Sequence, residues 1–270
     1  MQRQTGLWRY MDVARFLALI DQKELYFSRL HEFEDKWEGA CSPADPLITG
    51  RDPDFMKVAA ANFSALPLVS CWHENETESV AMWKLYLSGK EGVAIKTTAE
   101  SLIRLFSVGR ELKLGRVGYW DIDDLQGSPE IFVFEDGQFT GTKIAPIEKY
   151  LFRKNPGYAH EQEVRAVIYE TYCAKQAIFG STDTLQSLWR GRKPVLPSGQ
   201  SLPCDISILI HSIVVSPEFP SWAVKALQKD VDAAFAPSPT VTIETSALLE
   251  RPAVGNLAQI PPQHSVATID

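Results

Sequence analysis

The sequence predicts an α+β fold, one domain on a mainly antiparallel or split mixed sheet with flanking helices. Three observations predict it. Segments of helical and of strand periodicity are mixed along the chain, without the regular alternation that builds a parallel α/β sheet. The 270 residues are 45% hydrophobic and 23% charged, an ordinary globular composition that can bury a full core unaided. No internal repeat breaks the chain into units, so residues 1–250 read as one globular domain. Residues 251–270 carry three prolines and little periodicity, and read as an extended or mobile tail.

The elements follow in order. Residues 7–10 form a short strand or the lead-in to a helix. Asp12 can cap a helix over residues 13–22 that sets Phe16, Leu17 and Ile20 on one face. Residues 24–28 (ELYFS) read as a strand. Pro53-Asp54 opens a helix through Phe63. Residues 66–72 (LPLVSCW) are a buried strand, 78–87 a helix and 92–97 (GVAIKT) a strand. A helix over 98–106 is capped by Thr97 or Thr98. Strands are expected at 112–120 and 131–134, a helix at 144–151, and an alternating strand at 163–169 (EVRAVIY). The apolar run 206–215 ends in a strand. A helix over 220–235 and a last strand at 241–244 close the domain. Residues 42–54 and 191–201 are dense in Pro, Gly and Asp and read as loops.

Composition narrows the function classes. Twenty-seven basic against 34 acidic residues give a net charge of −7, which argues against bulk electrostatic binding of nucleic acid. No run approaches the ~18 apolar residues of a membrane span, and the N-terminus lacks the apolar core of a signal peptide. A cytoplasmic protein with no membrane partner is expected. Cys41, Cys71, Cys173 and Cys204 form no CxxC pair and read as reduced thiols, so no metal is expected from them. The phosphate-cradling, dinucleotide, zinc-protease and nucleophile-elbow motifs are all missing.

Four clusters carry the chemistry that remains. Arg9 stands between Trp8 and Tyr10, where it can hold a phosphate beside a stacking ring, or lie on the surface beside core aromatics. Tyr26 and Ser28 precede Asp35 and Glu38, a carboxylate pair that can meet a metal or an amine, or merely solvate a helix start. His73 precedes Trp83 and Tyr86, which share a helix face as core aromatics or as a wall for a flat ring. Lys154 and Tyr158 lead into Glu161, Glu163 and Arg165. Period-two geometry puts these last three on one strand face, as an ion-pair ladder or an acid/base or cation-stabilising site.

The ordered motifs LWRY (7–10), ELYFS (24–28), FEDKWE (33–38), MWKLY (82–86), GVAI (92–95) and EQEVR (161–165) resemble the bacterial domain-of-unknown-function family 2971. VGY (117–119) and IVVSP (213–217) fit the same pattern. At 33–36 this chain has Phe-Glu-Asp-Lys where the family pattern has Asn-Asp-Pro. That family name implies no activity. The order of an early strand Arg, an aromatic-Ser strand and a late strand Glu is also similar to ADP-ribosyltransferases. That similarity implies an ADP-ribosyltransferase-like fold and an NAD-consuming enzyme of the toxin or phage-defence effector kind. It implies Glu163 as the catalytic carboxylate, with Glu161 as the substitute. It implies Arg9 and Tyr10 as the NAD anchor, with Tyr26, Ser28, Trp83, Tyr86 and Arg165 around the ligand. The ligand is then a small phosphate-bearing molecule, and the acceptor a protein or nucleic acid. Two other readings stay open: a metal-dependent phosphodiesterase or hydrolase using Asp35, Glu38, Glu161 and Glu163, and a non-enzymatic binding or sensor module.

Overall fold

The computed structural model describes residues 2–35, 37–40, 42, 44–45, 66–87, 89–142, 146–169, 197–239 and 241–249. The helix expected at 53–63 and the tail at 251–270 lie outside them.

The fold is mixed α+β, with a large and almost wholly antiparallel sheet flanked by helices. Its central strands are β1 (Gly6–Asp12), β2 (Glu24–Arg29), β3 (Pro67–Glu74) and β4 (Gly92–Thr98). β5 (Glu111–Arg116), β7 (Ile131–Glu135), β8 (Gln138–Gly141) and β10 (Glu163–Tyr169) extend one side. β12 (Ser212–Val215) and β13 (Ile243–Thr245) extend the other, and β11 (Gly199–Pro203) borders β2. The main path runs β13-β12-β4-β1-β3-β10-β5-β7-β8, and only the β12–β13 pair is parallel. β6 (Gly118–Tyr119) and β9 (Arg153–Lys154) make a separate two-stranded ladder.

One strand changes partner midway. Along one edge of β3, Leu68 and Val69 pair with β2, whereas His73 and Glu74 pair with β1. β10 lies along the whole opposite edge, from Pro67 to His73. Between the two partners, at residues 70–72, the sheet forks.

The helices seal the face below. α1 (Val13–Gln22) begins where the Asp12 side chain accepts from Arg15 N–H at 2.8 Å, and buries Phe16, Leu19 and Ile20. α3 (Ala99–Phe106) is capped by Thr98, as its position predicts. They and α5 (Ser221–Phe235) cover a core that includes Leu7, Met11, Trp72, Ile95, Val164 and Ala166. On the other face α2 (Val80–Tyr86) packs Met82 and Trp83 against Trp8 and Tyr10. Ser79 caps it by accepting from Met82 N–H.

Several expectations are corrected. The strand expected at 112–120 breaks after Arg116. Val117 N–H donates to Glu163 C=O, and a side chain at Gly118 would strike the Trp120 ring, so the chain turns out of the sheet there. The helix expected at 144–151 is a 3-10 segment over Pro146–Phe152. The apolar run 206–215 divides into the short helix α4 (Ile206–Leu209), capped by Asp205, and β12. Residues 199–201, read as loop, open β11, because Tyr26 and Ser28 supply a free strand edge there. β7 and β8 are joined at Asp136-Gly137, both with positive φ, the Asp-Gly hairpin signal. No helix among the described residues is long and apolar enough to cross a membrane.

Candidate functional site

The fork opens into a cleft of about 750 Å³. Arg9, Tyr10, Tyr26, Ser28, Tyr86, Glu161 and Glu163 line it, together with His73, Cys71, Lys154 and Tyr158. Tyr26, Leu85, Tyr86 and Tyr158 are exposed at its edge. Trp83 and Arg165 do not line it.

Each side chain is delivered by register. Trp8, His73 and Glu163 are successive cross-strand partners, so their side chains share one face of the sheet. Cys71 and Arg165 are partners on that same face. Arg9 alternates to the opposite face and reaches the cleft only through the fork. There its guanidinium donates to Ser70 Oγ at 2.6 Å and to Tyr26 C=O at 3.1 Å, with its carbon 5.6 Å from the Trp72 ring centre. No carboxylate among the described residues pairs with it. Burial lowers its pKa, with Cys71 and Tyr86 acting the other way, and a guanidinium so shifted still carries its charge.

The acidic wall is a five-membered ion cluster. Arg165 is fully buried. It donates from Nε to Glu163 Oε1 at 2.7 Å, from Nη1 to Leu151 C=O at 2.6 Å, and from Nη2 to Glu38. Lys154 Nζ lies 2.8 Å from Glu161, 3.3 Å from Glu38 and 3.5 Å from Glu163, and 4.6 Å from the Tyr158 ring centre. The three carboxylates therefore gather around an ammonium, in the place a cation would take. Glu163 is also held through its backbone, whose N–H donates to Tyr119 Oη at 2.8 Å.

These contacts set the charge states. Burial pushes the Glu163 carboxyl up, but Arg165, Lys154 and a hydrogen bond from Cys71 outweigh it and hold it at about 2. Glu161 goes the other way, because burial exceeds the help of Lys154. Burial would lower Lys154 and Arg165, yet Glu163 and Glu38 hold both well above their ordinary values. The cleft thus holds an ionised carboxylate in a site largely screened from water, where a fixed charge acts strongly.

Trp83 lies buried behind Tyr10. The rings meet edge to face at 4.9 Å, and Trp83 Nε1 donates to Glu78 at 2.9 Å. It supports the wall that Tyr10 forms. Arg165 stands behind Glu163. Asp35 and Glu38 both line the cleft, although their segment is a turn. Asp35 accepts from Trp37 N–H at 2.9 Å, and Glu38 reaches inward to Arg165. Lys154 and His73 have larger parts than their motifs suggested. Lys154 sits on a two-residue strand, too short for any periodicity to reveal.

No family model matches the chain, and no curated protein matches it. Solved structures of DarT from Thermus sp. 2.9 match it at 8% identity. The complex with NAD+ covers 91% of this chain and 96% of that one, with a TM-score of 0.39. The complex with carba-NAD+ covers 91% and 97%, with a TM-score of 0.37. The complex with ADP-ribosylated ssDNA covers 91% and 95%, with a TM-score of 0.35.

Proposed function

We propose that the protein is an ADP-ribosyltransferase-like enzyme that consumes NAD. The observation that carries this reading is the pairing, in one cleft, of a cation with no carboxylate partner among the described residues and a carboxylate held ionised. Arg9 suits the pyrophosphate, an anionic partner for its guanidinium. Glu163 suits the ribose. Breaking the nicotinamide–ribose bond builds positive charge on the sugar, and a preset carboxylate stabilises that charge without reorganisation. Tyr26, Tyr86 and Tyr158 offer flat faces to the rings of the ligand.

Glu161 is the secondary carboxylate and Tyr10 part of the anchoring wall. Ser28 adds a hydroxyl to the pocket. Arg165 and Trp83 act through Glu163 and Tyr10 rather than on the ligand. The acceptor is a macromolecule, protein or nucleic acid, admitted at the mouth. An enzyme of this kind acts as a toxin or defence effector when that acceptor is essential to the cell.

The metal-dependent reading is less favoured on one specific observation. Lys154 fills the centre of Glu38, Glu161 and Glu163, so a divalent ion there would have to displace an ammonium.

The test is direct. Millimolar NAD+ is expected to raise the melting temperature, and the protein to release nicotinamide. Glu163→Gln is expected to stay folded and lose nicotinamide release by about 100-fold or more. No thermal shift together with no nicotinamide would overturn the reading.

A further inference from the structure

His73 is a group in the cleft that this chemistry leaves unused. It is buried, it lines the cleft, and it is the cross-strand neighbour of Glu163. Its Nδ1 lies 2.6 Å from Glu161 C=O, an acceptor only, so Nδ1 carries the proton of the neutral ring. Nε2 is then a bare lone pair, and among the described residues it has no hydrogen-bond partner. A buried acceptor without a partner is uncommon in a folded protein and calls for a reason.

The other cleft groups are committed, except Asp35, whose Oδ2 is a second buried acceptor without a partner among the described residues. Glu163 receives Arg165 and Cys71, while Glu161 receives Lys154. Glu38 receives Arg165 and Lys154. Tyr10 accepts from Ser79 N–H. The Cys71 thiol is pushed up, chiefly by burial, and stays protonated. A carboxylate held as low as Glu163 is a good electrostatic partner and a poor base.

We infer that, in the reaction proposed above and resting on it, His73 takes the proton of the acceptor nucleophile at Nε2. As the acceptor oxygen or nitrogen bonds to ribose C1′, the bond from C1′ to the nicotinamide nitrogen breaks. Its electron pair leaves with nicotinamide, which becomes neutral. The acceptor's proton passes to Nε2, and the imidazolium returns it to solvent after product departs.

The groups around His73 fix the pH dependence. They are Tyr10 from β1, its ring centre 6.2 Å away, Glu161 from the 3-10 segment ahead of β10, whose C=O meets Nδ1, and Glu163, the cross-strand partner in β10. Burial lowers the His73 pKa, and the bond to Glu161 C=O raises it only in part. The basic form therefore persists below the ordinary histidine range.

The experiment uses the full chain, NAD+ and water as acceptor, with nicotinamide release followed from pH 4.5 to 8. The wild-type rate is expected to hold through the ordinary histidine range and to fall only at lower pH. His73→Asn keeps a donor for Glu161 C=O, and His73→Gln places an amide near the Nε2 position. Both are expected to lose the pH-dependent limb and about 100-fold or more of the rate, with NAD+ affinity within about threefold of wild type. A folded variant that keeps the wild-type rate and limb overturns the inference, as does loss of the limb in Asp35→Asn alone. Nitrogen-15 NMR of the wild-type histidine rings gives a test independent of the variants: an Nδ1-bare tautomer for His73 overturns it. If the wild type releases no nicotinamide, or Glu163→Gln releases it at the wild-type rate, the transferase reading itself falls and takes this role with it.

Discussion

Arg9 and Glu163 lie on opposite faces of the same sheet and line the same cleft. The sheet forks at β3 residues 70–72, and the guanidinium of Arg9 passes through that fork to Ser70 and Tyr26. A ligand that spans the fork can meet both charges.

Arg9→Ala is therefore expected to weaken NAD+ binding by about 10- to 100-fold, the value of one charge-assisted hydrogen-bonding group. Arg9→Lys is expected to recover only part of it, because an ammonium cannot reproduce the guanidinium's fork. Isothermal titration calorimetry checks both. Equal affinity in wild type and Arg9→Ala would remove Arg9 from the ligand.

Arg165 has a different consequence. Its removal leaves Glu163 and Glu38 buried without their main partner. Arg165→Leu is expected to cost about 3–5 kcal/mol in urea unfolding, the usual penalty for breaking a buried ion pair from one side. Arg9→Ala, measured in the same way, is expected to cost far less, since no carboxylate loses a partner.

Trp83 and Tyr86 sit three residues apart on α2 and should separate cleanly. Trp83 is buried, and Trp83→Ala is expected to lower stability by about 3–5 kcal/mol through the cavity it leaves. Tyr86 is exposed and lines the cleft, so Tyr86→Ala is expected to change stability little and to weaken ligand binding. Thermal melts with and without NAD+ read both effects.

Acid titration probes Glu163 directly. Its pKa is held at about 2 in the folded state, against 4.5 ordinarily. The stabilisation is fully present above pH 4.5 and is lost as pH falls toward 2. Glu161, held above its ordinary value, works in the opposite sense and recovers stability as it protonates. Wild type is expected to lose stability steeply between these two limits, and Glu163→Gln to follow a shallower curve in urea unfolding at stepped pH.

Local signals in the sequence were enough for much of this. The caps at Asp12 and Thr98, the period-two pattern of β10 from Glu163 onward and the buried strand β3 are all short-range properties, and the structure keeps them. Glu161, expected on the same strand face, instead ends the 3-10 segment Pro156–Glu161, because Gln162 takes a left-handed conformation before β10 begins. The breaks came where a distant contact overrides the local pattern. Residues 112–120 look continuous until Glu163 C=O takes the Val117 N–H. Residues 199–201 look like loop until β2 offers them an edge. The cleft followed the same division. Residue types at Arg9, Tyr26, Glu161 and Glu163 stand out in the sequence, but the fork that brings them together is a matter of strand order. Trp83 and Tyr86 share a helix face in outline, yet Trp83 packs behind Tyr10 whereas Tyr86, the last residue of α2, is exposed.

The ion cluster joins Glu38 to Arg165 across 127 residues, and takes its ammonium from a strand two residues long. Every member is present in the newly made chain, but as separate, water-solvated charges with ordinary acidity. The ionised, desolvated carboxylate comes into being only when these segments close on one another. This charge state and completed folding are thus one event, and a chain still emerging or partly unfolded holds the residues of the cluster without the electrostatics that the proposed reaction uses.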